Sequence, residues 1–201
     1  MPIDNPVSGI RRPPQGQARD RRLEDGEETR LMRALDDHAA PIKGKKRAGN
    51  YRVGARNVWI RPLVQFALET AMRRGELLSL EWADVDLKNR TAYLQQTKNG
   101  ESRTVPLSSR AVAILRGLPR SLDGRVFPTT ADAVKKVWER ACNQAKLGDL
   151  RFHDLRHEAT SRMAEKLPNL IELAAVTGHK DLRMLRRYYH PRATDLAKKL
   201  G

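Results

Sequence analysis

The segment Gly178-His179-Lys180-Asp181-Leu182-Arg183-Met184-Leu185-Arg186-Arg187-Tyr188-Tyr189-His190 ends in two adjacent tyrosines set among basic residues. At about 100° per residue, Leu182, Leu185 and Tyr189 fall on one face of a helix, and Tyr188 is turned about 100° away from it. Tyr189 then reads as packing, and Tyr188 as a hydroxyl free to point elsewhere. Taken alone, such an amphipathic helix is an ordinary packing element. It gains meaning from residues far upstream: His153 and Arg156, Lys98, and Arg73. With His179, these are the parts that a metal-free phosphoryl transfer needs. Negative charge grows on the non-bridging oxygens of a phosphodiester under attack, and positioned cations stabilise it. Arginine suits the task because its planar fork binds two oxygens and stays charged. A lysine or histidine can supply the proton that the leaving oxygen requires. A tyrosine nucleophile conserves the ester for rejoining.

Composition sets the outer limits. The chain has 201 residues, enough for one sizeable domain with its own core. Lys plus Arg number 39 against 24 Asp plus Glu, a formal net charge of +15, which points to a polyanionic partner. Charge alone does not separate DNA from RNA, an anionic membrane or a solvated basic surface. The single cysteine, Cys142, excludes an intrachain disulfide and fits a reducing compartment; its apolar helical context places it in the core. No apolar run approaches the ~18 residues of a membrane span, and the polar, Pro-rich start is unlike a secretory signal. The expected location is cytoplasmic. No carboxylate or Cys/His cluster has ligand spacing, so neither a metal nor a cofactor is expected.

In chain order, residues 1–22 carry Pro2, Pro6, Pro13, Pro14, Gly9 and Gly16 among charges and read as an extended linker. Residues 23–201 form the domain. Asp25 and Glu28 resemble a capping box ahead of Leu31, Ala34 and Leu35. Residues 41–56 are basic and without periodicity, a loop suited to a phosphate backbone or simply to solvent. Trp59, Leu63, Phe66, Ala67 and Thr70 keep helical spacing and deliver Arg73-Arg74-Gly75-Glu76. Residues 91–97 and 101–105 flank Asn99-Gly100, a hairpin signal. Ser108 and Thr130 are candidate N-caps for two further helices, the first ended by Gly117. Phe152, Leu155, Ala159 and Met163 mark another helix, and Leu170, Leu173 and Ala174 a short one stopped by Gly178. Leu196 and Leu200 give a terminal helix, 194–200, an apolar stripe. The fold class is α+β, mainly helical with a small antiparallel sheet.

Four boxes in order resemble the tyrosine recombinases, the phage integrase family. They are Thr70-Ala71-Met72-Arg73-Arg74-Gly75-Glu76-Leu77-Leu78, Thr97-Lys98-Asn99-Gly100-Glu101-Ser102-Arg103-Thr104-Val105-Pro106-Leu107, Phe152-His153-Asp154-Leu155-Arg156-His157, and Gly178-His179 with Tyr188 and His190. The resemblance runs from about residue 20 to 200 and implies the integrase catalytic-domain fold. It also implies roles. Arg73 and Arg156 would clamp the scissile phosphate, and Glu76 would orient the site. Lys98 would protonate the leaving 5′-oxygen. His153 would manage the tyrosine proton, His179 would donate to a non-bridging oxygen, and Tyr188, chosen by spacing as well as by helical face, would attack. The implied activity is site-specific DNA recombination through a 3′-phosphotyrosine intermediate. Related readings are DNA relaxation of the type IB topoisomerase kind and a DNA-binding remnant without activity. The implied partner is double-stranded DNA, on which a homotetramer assembles from chains monomeric in solution, with accessory DNA-bending proteins as further partners. A separate helical DNA-binding domain is expected ahead of this one, with residues 1–22 as the end of its linker.

Overall fold

The computed structural model describes residues 19–39, 57–95 and 102–189, with Ala197 and Leu200. The Pro-rich start, the basic segment 41–56, the Asn99-Gly100 turn with Lys98, and His190 with the rest of the terminal helix lie outside the described residues.

The centre of the domain is α2 (Ile60–Thr70), a helix apolar over most of its circumference. Ile60, Leu63, Val64, Phe66, Ala67 and Leu68 are all buried, which places the helix inside a shell rather than on a surface. It packs on α6 (Asp154–Lys166) and α4 (Ser109–Arg116), while α1 (Glu27–Ala39) packs on α5 (Ala131–Gln144). Phe66 meets Phe127 with ring centroids 5.7 Å apart. Removing so large a buried ring would cost about 3–5 kcal/mol. Cys142 is buried in α5, as its context suggests, and burial raises its thiol pKa to about 12.

Helix starts follow the cap residues. Ser108 accepts from the Ala111 amide at 3.0 Å and Thr130 from the Ala133 amide at 3.2 Å. The reach-back contact ahead of α1 lies one residue earlier than Asp25 and Glu28 suggest. Glu27 is the residue that reaches back, accepting from the Glu24 amide at 2.9 Å, because Gly26 takes φ +77° and turns the chain between them.

The sheet has three antiparallel strands in the order β1-β2-β3: Val85–Asp86, Thr91–Leu94 and Arg103–Pro106. Tyr93 pairs with Thr104 and Leu94 with Arg103. Alternation sends Ala92 and Leu94 inward and leaves Tyr93 exposed. The short β1 extends the hairpin that the sequence suggests. Helix α3 (Arg74–Ser79) follows α2, and α7 (Leu170–Thr177) ends at Gly178 with φ 70°.

The largest departure from expectation is the tyrosine segment. It forms two 3-10 turns, Leu182–Met184 and Arg186–Tyr188, not an α-helix. Leu185 is its one buried apolar anchor, whereas Leu182 is 41% exposed, so there is no apolar stripe to hold a helix. Asp181 accepts from the Arg183 amide at 2.9 Å, favouring a tight turn, and Arg183, Arg186 and Arg187 would repel one another at helical spacing. The helical-face argument for choosing between the tyrosines therefore fails.

Candidate active site

The site is assembled from three chain reversals. The first follows α2. Ala71 caps that helix in the left-handed region, φ 53°, a conformation costing on the order of 1 kcal/mol for a residue with a Cβ. The turn presents the Ala71 carbonyl to Arg156, whose Nη1 donates to it. Arg73 then runs extended into α3.

Glu76 is 4% exposed and collects the nearby cations. Its carboxylate accepts from the Arg73 amide and from Arg73 Nη1, both at 2.8 Å. Arg103, from β3, adds a two-pronged contact at 2.9 and 3.0 Å. Burial alone would raise the Glu76 pKa; the hydrogen bonds from Arg103 and the Arg73 amide overcome it and leave the carboxyl below its ordinary value.

The second reversal is at Gly178. A Cβ there would lie 2.7 Å from Arg103 Nη1, so glycine supplies both the positive φ and the space for the guanidinium. Just before it, the Thr177 carbonyl accepts from Arg156 Nη2 at 2.7 Å. Just after it, His179 Nδ1 lies 2.7 Å from the Thr177 hydroxyl, which donates to the Leu173 carbonyl at 2.6 Å. A hydroxyl has one hydrogen, so the imidazole proton belongs on Nδ1 and Nε2 is left as an acceptor facing Arg156 Nη2 at 3.4 Å. Burial, then the charges of Arg156, Arg73 and Arg103, push the His179 pKa down to about 4. Burial also pulls Arg156 down to about 10, still charged at neutrality.

The third is the start of α6. Phe152 packs edge-on against Trp138, centroids 5.2 Å apart, which fixes where the helix begins. His153 caps it, and the Arg156 amide donates to the His153 carbonyl at 3.1 Å. His153, exposed at the rim, lines a cleft of about 530 Å³ with Arg73, Arg74 and Arg156. Desolvation in the cleft, then the charge of Arg156, hold its pKa below the ordinary value.

Tyr188 sits edge-on to the His157 ring at 5.0 Å and 87°. Burial raises its pKa, against the pull of Arg187 and Arg156. Arg73, His153, Arg156, His179 and Tyr188 are thus drawn to one region, while Lys98 lies outside the described residues. Arg103 is the contributor that sequence reasoning passed over. Its one signal was position, within the hairpin box and near a Glu76 that needs a counter-charge once buried. Among the described residues, no group of three or more His, Cys, Asp or Glu could hold a metal ion, and no helix is long and apolar enough to cross a membrane.

Residues 21–195 match the model of the phage integrase family. The shufflon-specific DNA recombinase of Escherichia coli is 43% identical over 197 residues, covering 98% of this chain and 47% of that protein. A putative integrase/recombinase of Haemophilus influenzae is 34% identical over 98% of this chain and 61% of its own length. The catalytic domain of bacteriophage HP1 integrase superposes with a TM-score of 0.65 at 25% identity, over 90% of this chain and 94% of that one. The chain spans about half the length of the curated relatives it matches. With its mainly helical fold, small antiparallel sheet and gathered arginines, the chain belongs to the phage integrase family.

Proposed function

We propose that the chain is the catalytic part of a site-specific DNA recombinase that cuts and rejoins duplex DNA through Tyr188. The observation that supports this best is the meeting of boxes far apart in sequence: Arg73, His153 and Arg156 line one cleft, His179 lies 3.4 Å from Arg156, and Tyr188 feels the Arg156 charge. The name of the Escherichia coli relative, a DNA recombinase, points the same way.

In the proposed step, Tyr188 Oη attacks the scissile phosphorus and a phosphotyrosine bond forms as the bond to the 5′-oxygen breaks. The phenolic proton passes to His153, and Lys98 gives a proton to the departing 5′-oxygen. Arg73 and Arg156 hold the non-bridging oxygens. Glu76 and Arg103 set the Arg73 fork. For His179 to donate as well, Nε2 must gain a proton, and an anionic phosphate beside it favours that. Rejoining runs the same path backwards, with a 5′-hydroxyl as the attacking group. In this step the arginines and Lys98 carry the charge stabilisation that a metal would otherwise supply.

Duplex DNA is the proposed substrate, with tetramers forming on DNA from chains monomeric in solution, and DNA-bending proteins assisting. Residues 1–22 would be the end of a linker from a DNA-binding region, and the cytoplasm is the proposed site of action. The test is uniformly labelled supercoiled plasmid incubated with the chain in EDTA and quenched with detergent. Label attached covalently to protein supports the reading. Attachment that appears only with magnesium, or never, overturns it.

A further inference from the structure

The chain entering the domain is strapped down by its own arginines. Arg19 Nε and Nη2 bind the Asp154 carboxylate at 2.9 and 2.8 Å, Arg21 Nη2 binds Glu27 at 2.8 Å, and Arg22 Nε binds Glu158 at 3.1 Å. All three hold the strand against α1 and the first turns of α6. Asp20 is the acidic residue among them, and its carboxylate joins α6, at His157, to the tyrosine turn, at Arg187. Asp20 Oδ1 accepts from Arg187 Nη2 at 2.9 Å and lies 2.9 Å from His157 Nε2. Arg187 Nη2 also donates to the Arg19 carbonyl at 3.1 Å.

Both partners of Asp20 bear on Tyr188. Arg187 precedes it in the same 3-10 turn, and His157 supplies the ring face on which Tyr188 rests edge-on. One carboxylate therefore touches the backbone neighbour of Tyr188 and its packing surface at once. Among the described residues of the tyrosine segment, Leu185 is the one fully buried side chain. Asp20 remains 77% exposed, so its contacts are of the weak, breakable kind.

We infer that Asp20 is a positioning residue for Tyr188: the strap of residues 19–22 holds the tyrosine turn through Arg187 and His157, so the path of the entering chain sets how well the tyrosine is aimed. This rests on the proposed role of Tyr188. A pull on the chain ahead of Arg19 reaches the tyrosine through these bonds, giving a domain attached upstream a mechanical route to the site.

The test compares the full chain with Asp20→Ala and Asp20→Glu. The first arm needs no DNA. Hydrogen exchange of the 182–189 peptide should accelerate about two- to fivefold in Asp20→Ala, the factor an exposed ion pair supplies. Exchange in α2 should stay unchanged, which shows that the variant is folded. The second arm uses uniformly labelled supercoiled plasmid at saturating concentration. The rate of covalent attachment should fall by a similar factor in Asp20→Ala without weaker plasmid binding, and Asp20→Glu should recover it. A purely electrostatic role moves the opposite way, because losing a carboxylate from a basic protein tightens DNA binding. A wild-type chain that never forms the covalent species sinks the role of Tyr188 and this inference with it. A wild-type chain that does form it, with Asp20→Ala matching it in either arm, sinks this inference alone.

Discussion

Both carboxylate oxygens of Glu76 accept from Arg103, at 2.9 and 3.0 Å, in a place where Glu76 is 4% exposed. The same carboxylate holds the amide and the guanidinium of Arg73. Arg103 therefore reaches Arg73 through a shared buried anion, and β3 is tied to the first turn of α3. Removing Arg103 leaves that anion half-compensated. Arg103→Ala should lower unfolding stability by roughly 2–4 kcal/mol in urea titrations, with Glu76→Gln giving a related loss. A change within about 0.5 kcal/mol would show that the contact does not contribute.

Gly178→Ala probes the same contact from the other side. The new methyl would meet Arg103 Nη1 at 2.7 Å, and φ 70° is unfavourable for alanine. Arg103 must move, so the loss should not add to that of Arg103→Ala. The double variant should be less destabilised than the two singles combined, by roughly 1 kcal/mol or more. Strict additivity would contradict the close approach.

His179 makes stability depend on pH in a definite direction. Its folded pKa, about 4, lies below the ordinary 6.5, so the unfolded chain takes the proton first. The contribution is complete above pH 6.5 and is lost as pH falls toward 4. It is worth on the order of 3 kcal/mol at most. Urea titrations across that range should show stability falling with acid, and His179→Gln should flatten part of the slope. An unchanged slope would place the imidazole elsewhere.

Nε2 of His179 is an acceptor in the DNA-free chain, and a phosphate in the cleft should convert it to a donor. Binding of DNA should therefore take up protons near pH 6. Calorimetry in two buffers of different ionisation enthalpy measures this directly, and zero uptake would leave His179 neutral on DNA. The net charge of +15 adds a salt signature: about −0.9 in the log–log slope for each phosphate neutralised.

Much of this was legible in the sequence, for identifiable reasons. Caps at Ser108 and Thr130 act through their own backbone neighbours, so local spacing reveals them. Helix α2 shows because its apolar residues recur at helical period. The tyrosine segment misled because Leu182 and Leu185 have helical spacing while only Leu185 is buried. Burial is a tertiary fact, absent from the spacing. Arg103, Asp20 and the left-handed Ala71 were missed for a like reason: each acts on residues distant along the chain. Arg73, Arg156 and His179 were singled out through resemblance, since single arginines and histidines carry no signal of their own; Tyr188 was chosen by resemblance together with the helical-face argument that the 3-10 turns remove.

The central claim is that Tyr188, beside His157 and within reach of the Arg156 charge, forms the bond to DNA while its neighbour does not. Tyr188→Phe and Tyr189→Phe, each incubated with labelled supercoiled plasmid in EDTA and quenched in detergent, separate the two. Tyr188→Phe should yield no covalent protein–DNA species, and Tyr189→Phe should keep most of the wild-type yield. An active Tyr188→Phe alongside a dead Tyr189→Phe would contradict the account.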